Sequence, residues 1–162
     1  MNIVFENDPD FLRCDFKNTM HCEEYLRLLN EYIADPMGGG ERLEGGKAVR
    51  LISQLREHSS ALVFFVLHEG KCIGFMTTYF NYSTFKAKPM LYIHDVFVGN
   101  AGRGRGFGKK MIRKAIDTAR LNGCCKLTLE VRHDNLSAQK IYADAGFCDT
   151  EPPMHYWEKQ LL

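Results

Sequence analysis

Seven consecutive residues, Arg103, Gly104, Arg105, Gly106, Phe107, Gly108 and Lys109, form the segment of this chain richest in chemistry. Glycine recurs at alternate positions, between an apolar run at residues 91–98 and an amphipathic stretch at residues 110–120. A strand that turns through glycines into a helix exposes backbone N–H groups at the helix's positive end, and such ends bind anions, phosphates above all. Glycine lets the backbone approach a ligand closely and adopt φ > 0 at little cost. The two arginines add fixed positive charge. Two familiar phosphate loops are excluded by spacing. A P-loop needs G-x-x-x-x-G-K-[ST], yet Arg103 stands five residues before Gly108 and Lys110 follows Lys109. The dinucleotide pattern G-x-G-x-x-G fails because Lys109 occupies the place of its third glycine. What remains is Arg103-x-x-Gly106-x-Gly108, a turn expected to carry a polyphosphate.

The elements that must hold this turn are legible from periodicity. Residues 12–17 read as a first strand. Cys22, Tyr25, Leu26, Leu29, Tyr32 and Ile33 recur at helical spacing and predict a helix over 19–34, ended by Asp35-Pro36-Met37 and three glycines. A second helix is expected over 47–58. Residues 61–67 and 72–80 read as strands joined by a tight turn at 68–71, with a loop at 81–89 and a third apolar strand at 90–98. After the glycine turn come a helix carrying Met111, Ile112, Ala115, Ile116 and Ala119 on one face, a strand at 126–132 and a short helix over 135–145 stopped by Gly146. Two last strands are expected at 147–149 and 154–159. The order β-α-α-β-β-β-α-β-α-β-β describes a mixed α/β layer protein of the α+β type.

Bulk composition narrows the classes. At 162 residues, 45% hydrophobic and 25% charged, the expectation is one soluble domain spanning 1–162. A formal net charge of +1 gives no global drive toward nucleic acid or an acidic membrane. No apolar run approaches the roughly 18 residues of a membrane span, and the first residues lack a basic, apolar leader, so a cytoplasmic location is expected. The six cysteines show no C-x-x-C spacing and fall within apolar patterns, which predicts free thiols and no metal site.

Downstream of the turn runs a second motif, Asn135-x-x-Ala138-x-x-x-Tyr142-x-x-x-Gly146-Phe147. With Arg103, Gly106 and Gly108 it makes the chain resemble the GNAT family, the Gcn5-related acetyl-CoA-dependent N-acetyltransferases. The resemblance runs from about Ala61 to Phe147. It implies the GNAT fold: a central, mostly antiparallel sheet splayed between its fourth and fifth strands, with helices on both faces. It implies acetyl-CoA as co-substrate, with Val96, Phe97 and Val98 pairing through their backbone with the pantetheine arm. The amides of Gly104, Arg105, Gly106, Phe107, Gly108 and Lys109 would hold the pyrophosphate, with Arg103, Arg105 and Lys109 able to meet the phosphates. Homodimers are common in the family.

Chemistry then assigns roles. Asn135 suits a helix N-cap, and Tyr142, seven residues on, lies on the same helix face roughly 10 Å along the axis. When an amine attacks a thioester a thiolate must leave, and a phenol of pKa ~10 protonates a thiolate whose conjugate acid is ~8–9 only slightly uphill. The resemblance gives Tyr142 that general-acid role beside its contact with the cofactor. The incoming ammonium, pKa ~10.4, loses its proton at a cost of about 4.6 kcal/mol at pH 7, so a base, or a water relay to one, would help. His94 and Asp95 occupy the level of the cofactor strand where the family often carries a carboxylate. Adjacent strand residues face opposite ways, and His94 is favoured because histidine is the residue type most often used as a general base.

Each reading has a structural counterpart: a plain strand–helix turn, Tyr142 as a core aromatic, Asn135 as a cap alone, His94 as a core histidine. Two functional rivals remain as well. One is a non-catalytic acetyl-CoA sensor or interaction module, which needs neither Tyr142 nor a base. The other is a nucleic-acid binder using Arg103, Arg105, Lys109, Lys110, Arg113 and Lys114, which the near-neutral charge disfavours. The acceptor, a small-molecule or peptide amine, is open. Glu24, Glu31 and Asp35 on the polar side of the first helix could attract a cationic amine or form a solvated face, while the glycine triplet region and Tyr79, Tyr82 and Phe85 are candidates to wall the acceptor pocket or, for the aromatics, to cap the core.

Overall fold

The computed structural model describes residues 2–161. In chain order the elements are β1 (Phe11–Arg13), α1 (Thr19–Ile33), α2 (Gly45–Glu57), β2 (Ala61–His68), β3 (Lys71–Ser83), β4 (Lys88–Val98), a 3₁₀ turn (Asn100–Gly102), α3 (Phe107–Leu121), β5 (Leu127–Leu129) and α4 (Leu136–Asp144). The strands form one sheet in the order β1-β2-β3-β4-β5. The first three pairings are antiparallel and β4–β5 is parallel.

Apolar side chains on the two faces of the sheet build two cores. One face packs Phe64, Met76, Leu91 and Ile93 against Met111, Ile112 and Ala115 of α3. The other packs Phe65, Phe75 and Phe97 against Tyr25 and Leu28 of α1 and Ile52 and Leu55 of α2. Helices therefore cover both faces, as expected. Asn18 starts α1 by accepting from the Met20 N–H at 2.9 Å.

The sheet is splayed where the resemblance places the opening. β4 and β5 pair only over Leu91–Leu127, Tyr92–Thr128 and Ile93–Leu129. Beyond Ile93, β4 runs on to Val98 with no strand on that side among the described residues. Within β4 the register against β3 slips: Thr77 faces Asp95 while Thr78 faces Ile93, so His94 is the extra residue of a β-bulge. The bulge inverts the strand's phase. Leu91 and Ile93 point into the α3 core before it, whereas Phe97 points into the α1–α2 core after it.

Several expected boundaries move. The first strand is Phe11–Arg13, because its partners are Phe64, Phe65 and Val66 of β2. The loop expected at 81–89 is largely strand: Asn81, Tyr82 and Ser83 pair with Met90, Pro89 and Lys88, leaving a turn of residues 84–87. The α3 helix begins at Phe107 rather than 110, since Gly106 at φ 81° supplies its left-handed entry. The strands expected at 147–149 and 154–159 do not form. A strand exists only by pairing, and neither segment pairs with a strand of the described sheet.

Candidate active site

The splay opens a cleft of about 620 Å³. One wall is β4 from Ile93 to Val98, the glycine turn and the first turn of α3; the other is residues 129–132 and α4. The turn is suited to an anion. Gly104 and Gly106 adopt φ of 71° and 81°, and a Cβ at either position would meet no atom within 4 Å, so their outer sides are open. No side chain caps the N-terminus of α3, which leaves its first N–H groups for a ligand. On β4, the edge from His94 to Val98 is the stretch that β5 does not cover. An extended amide chain such as pantetheine can pair with such an edge. The residues present fit coenzyme A.

Ten of the expected cofactor contacts line this cleft: Val96, Phe97, Val98, Arg103, Gly104, Gly106, Phe107, Gly108, Lys109 and Asn135. Tyr142 and His94 line it too. Arg105 does not. Its guanidinium turns out to the Ala101 carbonyl at 3.3 Å and to His68 Nε2 at 2.8 Å. Arg103 lies at the cleft but its guanidinium is engaged, donating to the Val98 carbonyl at 3.2 Å and ion-pairing with Asp35. Lys109 pairs with Asp144 at 2.7 Å and so ties α3 to α4.

Asn135 caps α4, accepting from the Ala138 N–H at 3.1 Å. Two turns along the same helix, Tyr142 is half-buried, packed on the α3 core and 6.0 Å between ring centroids from Phe147. Burial, with Tyr32 adding to it, pushes the Tyr142 phenol up to about 12. It therefore carries its proton throughout the neutral range.

His94 and Asp95 are separated by the bulge. His94 is exposed at the cleft, with Nδ1 3.3 Å from the Tyr92 hydroxyl, which donates to Glu130 at 2.9 Å. Asp95 lies on the other side, in a second cavity of about 370 Å³ lined also by Leu29, Tyr32, Ile33, Met37, Gly38 and Gly39. Burial raises the Asp95 carboxyl above the ordinary aspartate range, against the opposing pull of His94 and Thr77. The two cavities share Tyr32 and Met37 as a common wall. Gly38 is seated there by close approach: a Cβ would fall 1.9 Å from the Tyr32 carbonyl oxygen. Asn30 pins the connection further along, bonding Leu43 through both its amide atoms at 2.8 and 3.1 Å.

The comparisons decide the family. The sequence profile of the acetyltransferase (GNAT) family matches residues 23–147. This chain belongs to the GNAT family. It is 31% identical over 114 residues to the uncharacterized N-acetyltransferase YhfO of Bacillus subtilis, covering 70% of this chain and 75% of that one. It is 37% identical over 82 residues to the bovine thialysine N-epsilon-acetyltransferase, covering 50% of this chain and 48% of that protein. The chain thus spans about half the length of this second relative. The solved structure of AAC(6′)-Iy in complex with the bisubstrate analogue CoA-S-monomethyl-acetylneamine shares its fold, with a TM-score of 0.71 at 19% identity over 93% of this chain and 98% of that one. The GNAT chain is accordingly an N-acetyltransferase that takes acetyl-CoA as co-substrate.

Sequence reasoning overlooked some of the GNAT site. Tyr32 reads as one more apolar-face residue of α1, and only the fold turns it toward both cavities. Arg132, the last residue of the strand expected at 126–132, lines the cleft and pairs with Asp134 at 2.7 Å. The acidic side of α1 is largely neutralised: Arg27 bridges Glu24 and Glu31, each at 2.6 Å, and Asp35 is held by Arg103. Tyr82 and Phe85 are exposed on the β3–β4 hairpin, away from either cavity, and Tyr79 packs on His58 and His94. All six cysteines are free thiols. Among the described residues no helix is long and apolar enough to cross a membrane.

Proposed function

We propose that this GNAT chain acts as one cytoplasmic domain over residues 1–162, and that it acetylates the primary amine of a small cationic acceptor by direct attack in a ternary complex. One observation carries this reading: the half-buried phenol of Tyr142 and the half-buried carboxylate of Asp95 stand in two cavities that meet at Tyr32 and Met37. Acetyl-CoA supplies the thioester and lies in the larger cavity. The acceptor enters through the smaller one, where Asp95 is the one charged lining group among the described residues. A carboxylate among apolar walls favours an ammonium over a carboxylate-bearing end of the acceptor. The relatives' names, thialysine for one and an acetylneamine analogue for another, support a small amine.

Asp95 takes the base role in preference to His94. Its raised affinity for a proton narrows the gap to the ammonium it must relieve, whereas His94 lies exposed on the cofactor side. Tyr142 acts as the acid, with a correction to its energetics. At about 12 its phenol stands some three to four units above a thiol near ~8.5, so complete transfer is uphill by about 5 kcal/mol. Tyr142 therefore donates a strong hydrogen bond to the sulfur as negative charge gathers there, and full protonation follows as the thiol departs.

The test is release of free thiol from acetyl-CoA across a panel of amines: aliphatic diamines, lysine analogues, aminoglycosides and peptide N-termini. Turnover with small cationic amines, and little with amino acids that carry an unmasked carboxylate beside the amine, is the expected result. Tight acetyl-CoA binding with no thiol released by any amine would overturn it in favour of a sensor.

A further inference from the structure

Beside Asp95, α1 and the sheet bury two hydroxyl groups. Thr77 of β3 is 1% exposed and Tyr25 of α1 is 2% exposed. Their oxygens lie 3.2 Å apart, and either could donate. Tyr25 has little freedom, because its ring meets Phe16 and Phe75 edge-on at centroid distances of 5.5 and 5.2 Å. Thr77 stands directly across the ladder from Asp95, and such partners share a face with their Cβ atoms about 5 Å apart. The β-bulge sets this pairing: the next residue, Thr78, already faces Ile93 and gives its own hydroxyl to the Leu62 carbonyl at 2.8 Å. Of two adjacent buried threonines, one bonds the backbone, as most polar side chains do, and the other is kept for Tyr25 and Asp95. The Thr77 hydroxyl draws the Asp95 carboxyl down while burial draws it up.

We propose that Tyr25 and Thr77 form a one-way hydrogen-bond chain that holds the Asp95 carboxylate, which makes both of them positioning residues for deprotonation of the acceptor. The direction follows from the protons available. An ionised carboxylate only accepts, and each hydroxyl has a single proton to give. If Thr77 donates to Asp95, Tyr25 donates to Thr77 and all three groups are partnered. With the order reversed, Asp95 loses its donor and the buried phenol proton has no second acceptor among the described residues. The chain passes no proton itself. It fixes one carboxylate oxygen and leaves the other for the acceptor cavity. There that oxygen takes the proton of the acceptor ammonium, and the freed nitrogen lone pair attacks the thioester. The chain's purpose rests on the proposed role of Asp95 as base. The other ionisable groups acting on Asp95 are Tyr32 of α1, Tyr79 of β3, and Tyr92 and His94 of β4. Burial holds the phenols of Tyr25, Tyr32, Tyr79 and Tyr92 above their ordinary range, so they stay neutral. His94 alone among these groups can turn cationic.

Thr77→Val keeps the shape of the side chain and removes its hydroxyl, Thr77→Ser keeps the hydroxyl, and Tyr25→Phe removes only the phenol oxygen. The Asp95 carboxyl is titrated directly by carbon-13 NMR, its signal assigned by its loss in Asp95→Asn. The acid limb of kcat/KM is recorded beside it, and both measurements are repeated with His94→Gln to remove the neighbouring cation. In Thr77→Val the carboxyl midpoint and the limb should both rise by about one pH unit, which is about a ten-fold loss of kcat/KM at a fixed pH on that limb. Tyr25→Phe should move both the same way by less, and Thr77→Ser should restore them. Acetyl-CoA affinity should stay unchanged throughout. A midpoint that ignores Thr77→Val overturns the proposal, because no hydrogen bond then reaches the carboxylate. A midpoint that moves as far in Thr77→Ser overturns it too, since the effect is then one of packing. A limb that persists in Asp95→Asn defeats the chain's catalytic purpose together with the base reading, and the NMR midpoints tell that failure from the first two.

Discussion

The two walls of the acetyl-CoA cleft are packed very differently. On the β4–α3 wall, Ile93, Phe97, Phe107, Met111 and Ile112 are all buried, between α3 on one face and α1–α2 on the other. On the opposite wall neither β5 nor α4 has a buried residue. The first wall presents backbone: an uncovered strand edge and the glycine-turn amides, whose value lies in fixed geometry. The second presents side chains, Asn135 and Tyr142, on a helix held to α3 partly by a surface ion pair. On the proposed reading, binding falls to the rigid half and chemistry to the half with more freedom to adjust, where local opening costs less.

The sharpest way to break this comparison is to cut one isoleucine from each wall. Ile112 is buried in the α3 core and Ile141 is half-buried on α4. Ile112→Ala should lower unfolding free energy by about 2–5 kcal/mol, and Ile141→Ala by about 1 kcal/mol, because a partly exposed site relaxes and refills with water. Urea denaturation of both variants measures this, and equal losses would abolish the distinction. Tyr142→Phe comes next. Removing the proton donor should cut kcat on the order of 10²-fold, about 2.7 kcal/mol, while acetyl-CoA affinity by calorimetry stays within about two-fold. A parallel loss of affinity would make Tyr142 part of the binding wall instead.

The contrast also explains what the sequence could and could not disclose. The geometry of the glycine turn was legible because it rests on left-handed backbone that Gly104 and Gly106 readily permit, and residue identity reports that directly. The cofactor strand was legible as an apolar run, but its bulge was not. Nothing in His94-Asp95 announces a register slip, since the slip is set by pairing with Thr77 and Thr78 in another strand. The bulge is what separates the two candidate bases, so a local reading that favoured His94 lacked the deciding fact. Tyr32 shares its helix face with Tyr25 and Leu29, and helical spacing cannot tell core from cavity wall. The strands expected at 147–149 and 154–159 had suitable residues, but propensity supplies no partner.

Asp95→Asn tests the link between the walls through the acceptor cavity. Loss of the base should lower kcat/KM on the order of ten-fold at neutral pH, about 1.4 kcal/mol, because solvent can still take the proton. The pH profile is more specific. The Asp95 carboxyl is raised by burial, so activity should fall as pH drops through a limb lying above the ordinary aspartate value near ~3.9, and Asp95→Asn should erase that limb. A limb that persists would return the base to His94.

The smallest expected effect concerns the tie between the rigid wall and the α1–α2 connection. Burial works against the Asp35 carboxylate, but the Arg103 guanidinium and the Met37 N–H together hold it below its ordinary value. A depressed carboxyl stabilises the fold above its unfolded pKa, and that contribution disappears only as pH falls through the still lower folded value. At neutral pH the tie is fully present. Arg103 is about half exposed, so the pair is worth less than about 1 kcal/mol once solvent screening is counted. Asp35→Asn keeps an oxygen for Met37 and Arg103 but removes the charge. Stability should change little, while acetyl-CoA affinity should rise a few-fold, because the guanidinium is then released toward the phosphates. Calorimetric titration at low and high salt reads this out, with the gain shrinking as salt screens the phosphates. Unchanged or weaker binding would mean that Arg103 belongs to the connection in every state, and that the glycine-turn amides hold the pyrophosphate without it.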